Sequence, residues 1–182
     1  IQQIMALSRK EADVAVVLDP PKGGPYYTEK LTDYHLKIYA TRDYIARHGA
    51  PASREELLEH AFIGYIQDMI FAPGLDYLGD IHPRIRPHIQ SSSIFAQLTA
   101  TRSGLGLCVL PIFIAERYPE LQVVLEDEID LCRHYWLACH HDIRQVARVR
   151  TVIEFLRGVV SDNALAFTGR PLVGHPVVGA VG

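Results

Sequence analysis

The sequence predicts an α/β fold built on largely parallel sheets. Three observations carry that expectation. Short runs rich in valine and isoleucine, the strand candidates, alternate with helical patterns along the chain. One such coupling is compact: "SSSIFAQLTATRSGLGLCVLP", residues 91–111, reads as a helix, a glycine stop and a buried strand. Residues 142–160 then hold the clearest helical period of the chain. In open α/β sheets ligands bind at the C-terminal ends of strands, near helix N-termini.

The elements follow in order. Ile4, Met5 and Leu7 suit the end of a helix. "EADVAVVL" is a short buried strand, closed by Asp19, Pro20 and Pro21, and "KGGPYY" is a loop. "LTDYHLKIYA" alternates at Tyr34, Leu36, Ile38 and Ala40, which suits a second strand. Residues 41–48 form a short helix stopped by Gly49, and Ser53 caps another because Glu56 sits three residues on. "AFIGYI" is a third strand, and residues 67–84 are the least regular part. "RIRPHI" is a strand that Pro87 weakens or moves to an edge.

The serines at 91–93 open a helix with Ile94, Leu98 and Thr101 on one face and Ala96 and Ala100 allowing close packing; Gly104 ends it. "LCVL" is the next strand, and Pro111 suits the first turn of the helix after it. "LQVVL" and "HYWLAC" are two more strands. In the long helix, Asp142 serves as cap with Gln145 three residues later. Val146, Val149, Ile153, Leu156 and Val160 line one face, with Arg144, Arg148, Arg150 and Arg157 mostly off it. From residue 161 onward no period is visible, and the segment reads as a tail.

With 182 residues the chain holds one domain or two small lobes with a shared core. A net charge of -3 and a pI near 6.3 leave no basic footprint for nucleic acid and no polybasic membrane patch, so any DNA contact lies outside this chain. The arginines of "RQVARVR" read as a solvated helix face. No apolar run reaches the length of a membrane span and no signal peptide is visible; the opening "IQQIMALSRK" reads as a fragment beginning inside a helix. Cys108, Cys132 and Cys139 form no C-x-x-C pair and read as reduced, buried thiols, which points to an intracellular protein. Among nine histidines, His140 and His141 are adjacent, and His82 and His88 flank prolines without ligand spacing. No H-E-x-x-H occurs, so these are surface or turn residues and no metal or other cofactor is expected.

The glycines of "SGLGLCVLP" follow a helix and precede a strand, the wrong order for a nucleotide phosphate loop, and no G-x-S-x-G elbow surrounds the serines. What remains is a helix N-terminus after a strand, where free N–H groups and the dipole favour an anion.

The ordered set "EADVAVV", "LKIYATRDYIARHG", "SSSIFAQLTATRSGLGLCVLP" and "HYWLACHHDIRQVARVRTVIEFL" resembles the effector-binding domain of LysR-type transcriptional regulators over about residues 3–160. The resemblance implies two Rossmann-like lobes joined by two crossover strands, like a type II periplasmic binding protein. Lobe I would hold residues 1–40 and 135–160 and lobe II residues 41–134, with residues 161–182 as the tail. It further implies a strand and a helix ahead of the point matching Ile1, and before them a linker helix and a winged helix-turn-helix that meets promoter DNA. Such a regulator is a cytoplasmic dimer or tetramer, not a membrane protein and not an enzyme. A periplasmic solute-binding protein of the same fold is the alternative.

On that reading, a small effector, expected to be anionic, sits between the lobes. One of Ser91, Ser92 and Ser93 caps its helix, and another meets the effector. Asp19 and Pro20 end the first strand on the edge that faces the cleft, and they read equally well as a turn. Tyr65 and Gln67, at the end of the "AFIGYI" strand, face the same cleft.

Overall fold

The computed structural model describes Leu7, residues 12–70 and residues 72–169. Valine-rich β1 (Val14–Val17) is followed by β2 (Tyr26–Thr41), sixteen residues long. Then come α1 (Arg42–His48), β3 (Phe62–Gly64), α2 (Tyr77–Ile81), β4 (Pro87–Gln90), α3 (Ile94–Arg102), β5 (Leu107–Pro111) and α4 (Ile112–Ala115). β6 (Leu121–Val124), β7 (Leu131–His140), α5 (Ala147–Asp162) and α6 (Ala164–Thr168) complete the order. Among the described residues no helix is long and apolar enough to cross a membrane.

The sheet runs β1-β7-β2-β5-β3-β4, with β6 also on β2. β2 and β7 are the two crossover strands, paired antiparallel from Tyr26 opposite His140 to Leu36 opposite Leu131. One end of their ribbon carries β1 on β7. Beyond it, β2 continues between β5 and β6. The expectation of largely parallel sheets is corrected here. Among the described residues only β3 pairs in parallel, with β4 and β5, while β1, β2, β5, β6 and β7 meet antiparallel. Strand-helix alternation does predict parallel crossovers, but two strands that each pass once between two halves of a molecule run in opposite directions.

The core follows the pleat. On β5, Leu107 and Val109 join one buried cluster, and Cys108 and Leu110 join another on the opposite face. A strand buried on both faces explains the unbroken apolar run "LCVLP". α5 lays Val149 and Ile153 on Leu137 and Cys139 of β7. Pro87 opens the edge strand β4, as its missing N–H requires.

Several local expectations change. The loop is shorter than "KGGPYY": it ends at Pro25, because Tyr26 and Tyr27 already pair with β7. Pro111 ends β5 and stands just before α4. Asp142 lies in a 3-10 turn (His141–Ile143), and α5 begins at Ala147 with no side-chain cap. The chain after residue 160 is not all tail: α5 runs to Asp162, and α6 sets Phe167 against Phe113 with ring centroids 5.0 Å apart. A helix of one turn has no periodicity to display. Ile4, Met5 and residues 170–182 lie outside the described residues. Cys108 and Cys139 are buried free thiols, but Cys132 is exposed because it leaves the open face of β7. His60 is buried rather than at the surface.

Candidate functional site

A cavity of about 200 Å³ opens where the crossover strands meet the ends of β1, β3 and β5. Val16 and Val17 of β1 and Leu18 just after it form one wall. Tyr65 after β3, Ile94 at the start of α3, and Pro111 and Ile114 after β5 form the other. Tyr34 of β2 and Tyr135 of β7 make the floor, Leu75 comes from the irregular segment before α2, and Tyr77 is the first residue of α2. Strand ends and a helix start converge here because that is where an open sheet leaves a crevice.

Four of the nine tyrosines line this cavity. Tyr34 stacks on Tyr135 at 4.4 Å and 16°, and Tyr65 meets Tyr77 edge-on at 5.8 Å. Tyr77 and Tyr135 hydrogen-bond with the Tyr34 hydroxyl. Burial raises the pKa of all four, that of Tyr65 to about 12, so at neutral pH each hydroxyl keeps its proton. The cavity therefore offers aromatic faces and neutral hydroxyl donors. Arg133 braces it from behind: its guanidinium pairs with Asp80, donates to the Gly74 carbonyl at 2.9 Å and lies 5.7 Å from the Tyr77 ring centre. A satellite chamber of about 20 Å³, room for one water, shares Tyr65, Leu75 and Tyr77 and adds Gln67 and Gln97.

The residues singled out from sequence fall around this cavity at different depths. Tyr65 lines it. Asp19 follows Leu18, is exposed, and acts on the Tyr34 hydroxyl through its charge. Pro20 is half-buried and does not line the cavity, and Gln67 lines only the satellite chamber.

The serines sit at the rim, one to three residues before Ile94. Ser93 caps α3 by accepting from the Ala96 N–H, and the Ser91 hydroxyl accepts from the Ser93 N–H at 3.1 Å. Ser92 is exposed, and among the described residues nothing bonds its hydroxyl. Gln97, fully buried, holds this turn: its amide donates to the Ser91 carbonyl at 2.9 Å, and its oxygen accepts from the Cys108 thiol at 3.7 Å. Tyr34, Tyr77, Tyr135 and Gln97 escaped sequence reasoning. The first three read as ordinary core residues of strands or of an irregular stretch. A polar residue four after the N-cap serine, on the apolar side of the helix, was the available signal for Gln97.

A family model described as "LysR substrate binding domain" matches residues 2–161. Among curated proteins, the HTH-type transcriptional regulator CrgA of Neisseria meningitidis is 25% identical over 168 residues, which cover 86% of this chain. The chain spans about half the length of that relative, 54%. The regulatory domain of CrgA superposes with a TM-score of 0.72 at 24% identity, covering 85% of this chain and 78% of that one. The regulatory domain of CcmR from Synechocystis PCC6803, solved in complex with 2-PG, gives 0.66 at 21% identity, covering 87% and 78%. The fold of these neighbours is the two-lobed, periplasmic-binding-protein type II architecture with two crossover strands.

Proposed function

Because the chain belongs to the LysR substrate-binding domain family, we propose that it is the effector-sensing part of a cytoplasmic LysR-type transcriptional regulator and that its effector occupies the tyrosine-lined cavity. The lobes are residues 1–40 with 135–160, and residues 41–134, and they close by bending in β2 and β7. Closure needs an effector that makes different contacts in the open and closed states. A molecule that touches both β1 and the Tyr65–α3 wall does so, because those walls belong to different lobes. In the whole regulator, a homo-oligomer would pass this change to winged helix-turn-helix domains on promoter DNA.

The observation that carries the reading is the composition of the cavity wall. Apolar and tyrosine side chains line it, with no charged side chain among them. The effector is thus a small molecule with an apolar or aromatic body. Its acceptor-bearing end, a carboxylate or similar group, lies toward Ser92 and the N-terminus of α3. The other end is kept free of negative charge by Asp19. A neighbour's regulatory domain solved in complex with 2-PG supports a small molecule as the class of effector.

The test is calorimetric titration with small aromatic carboxylates and, for comparison, 2-PG. Tyr65→Phe and Ser92→Ala should each weaken binding by about 2- to 10-fold, the worth of one hydrogen bond. A bound compound whose affinity is unchanged by Tyr65→Phe and by alanine at Ser91, Ser92 and Ser93 would remove these residues from the site.

A further inference from the structure

The ribbon of β2 and β7 has a second face, turned away from the cleft. In its register Asp33 stands opposite His134, and His35 opposite Cys132. Directly opposed residues share a face, as do residues two apart on one strand. Asp33, His35, Cys132 and His134 are therefore neighbours on the back, while Tyr34 and Tyr135 project from the other side into the cavity. Among the described residues, one ligand atom each of Asp33, Cys132 and His134 lies within 4.8 Å of the other two. His134 Nδ1 is 2.5 Å from Asp33 Oδ1, and His35 Nδ1 is 2.7 Å from Asp130 Oδ1. Cys132 and His134 are exposed, so an ion reaches them without any opening of the fold.

We propose that this back face binds one divalent transition-metal ion of the zinc type, with Asp33, Cys132 and His134 as ligands and His35 as the fourth. A thiolate, two imidazoles and a carboxylate form a borderline-soft set that suits four-coordinate zinc, and they are a poor cage for calcium or magnesium, which take oxygen ligands. The two tripeptides Asp33-Tyr34-His35 and Cys132-Arg133-His134 are each an i, i+2 ligand pair on a strand. Pairing the strands brings the four together without a loop. The carboxylates of Asp33 and Asp130 both act on the Cys132 thiol through their charge. The same two carboxylates favour an incoming cation. Binding forms a metal–sulfur bond, releases the thiol proton to solvent, and frees Asp33 from Lys30, whose Nζ lies 3.0 Å from it.

The experiment is titration of the 182-residue chain with Co(II), followed by displacement with Zn(II). One equivalent of Co(II) should give a near-ultraviolet thiolate-to-metal band and the strong visible bands of a tetrahedral site, both bleached by Zn(II). Cys132→Ser should abolish the thiolate band. His134→Ala and His35→Ala should each weaken Zn(II) binding at least about tenfold. His82→Ala, far from the ribbon in sequence, should bind as the parent does. Zn(II) should raise the melting temperature of the parent and not of Cys132→Ser, and that melt also reports whether the variant is folded. No saturable Co(II) or Zn(II) binding, or an intact thiolate band in folded Cys132→Ser, would overturn the site. An unchanged affinity in His35→Ala would remove His35 from the ligand set.

Discussion

His60 sits where a charge is costly. It is buried, its Nδ1 shares a hydrogen bond with the Tyr44 hydroxyl at 3.3 Å, and that same hydroxyl accepts from the Ala61 N–H at 3.2 Å. Burial, and secondarily the charge of His48, lower its pKa below 6.5, outweighing the opposing pull of Glu59 and Glu56. The unfolded chain therefore binds the His60 proton at a higher pH than the folded one does. Stability from this group is complete above the unfolded value near 6.5 and declines as pH falls below it, until the depressed folded pKa is passed. Urea melts from pH 7.5 to 5 should show that decline, and His60→Gln should flatten it. Glu29, whose pKa is lowered chiefly by Arg157, acts in a lower window: its contribution is present above about 4.5 and lost below. An equal slope in the parent and in His60→Gln would assign the acid response elsewhere. Of the cavity tyrosines only Tyr65 was read from sequence; Tyr34, Tyr77 and Tyr135, and the burial of His60, were not. Tyr34 and Tyr135 fit the period-two pattern of any half-buried strand, and only the convergence of distant strand ends makes them a cavity floor.

At the level of elements, the coupling of α3 to β5 was the most legible part of the chain, and the glycines show why. Gly104 ends α3 at φ 71°, a left-handed conformation that glycine adopts without strain. Gly106 meets a different demand. A Cβ there would come within 2.5 Å of the Ala61 carbonyl oxygen, which accepts from the Leu107 N–H at 2.8 Å. Backbone against backbone cannot yield by rotating a side chain, so β3 and β5 would have to move apart. Gly106→Ala should cost about 1–3 kcal/mol, read as a lower urea midpoint. A midpoint equal to the parent's would mean the strands tolerate the shift. By contrast, the start of α5 was misplaced, because Asp142 and Gln145 carry the spacing of a capping box while the backbone around them is a 3-10 turn. The strand pairs along β2 were hidden for a related reason: period-two alternation marks a strand but not its partner or direction.

For the whole molecule, the resemblance in motif order supplied what residue patterns could not: that two strands cross between halves and that a cleft lies between them. It did not supply the role of α6. A row of rings runs from α6 to the floor of the cavity. Phe167 meets Phe113 at 5.0 Å, Phe113 meets Tyr34 edge-on at 6.3 Å, and Tyr34 stacks on Tyr135 at 4.4 Å. Such aromatic neighbours add stability beyond their buried area. α6 thus closes the apolar side of β2 and α4, and Phe167 packs on the main core. Phe167 is half-buried, so its truncation removes less than a full core ring would. Phe167→Ala should cost about 1–3 kcal/mol, with an unchanged urea m-value if the native state stays compact. Because the row ends on the tyrosine floor, the same variant should also bind a cleft ligand more weakly than the parent. Lost stability with unchanged ligand affinity would confine α6 to holding the core together; no change in either would show that the helix does not pin β2.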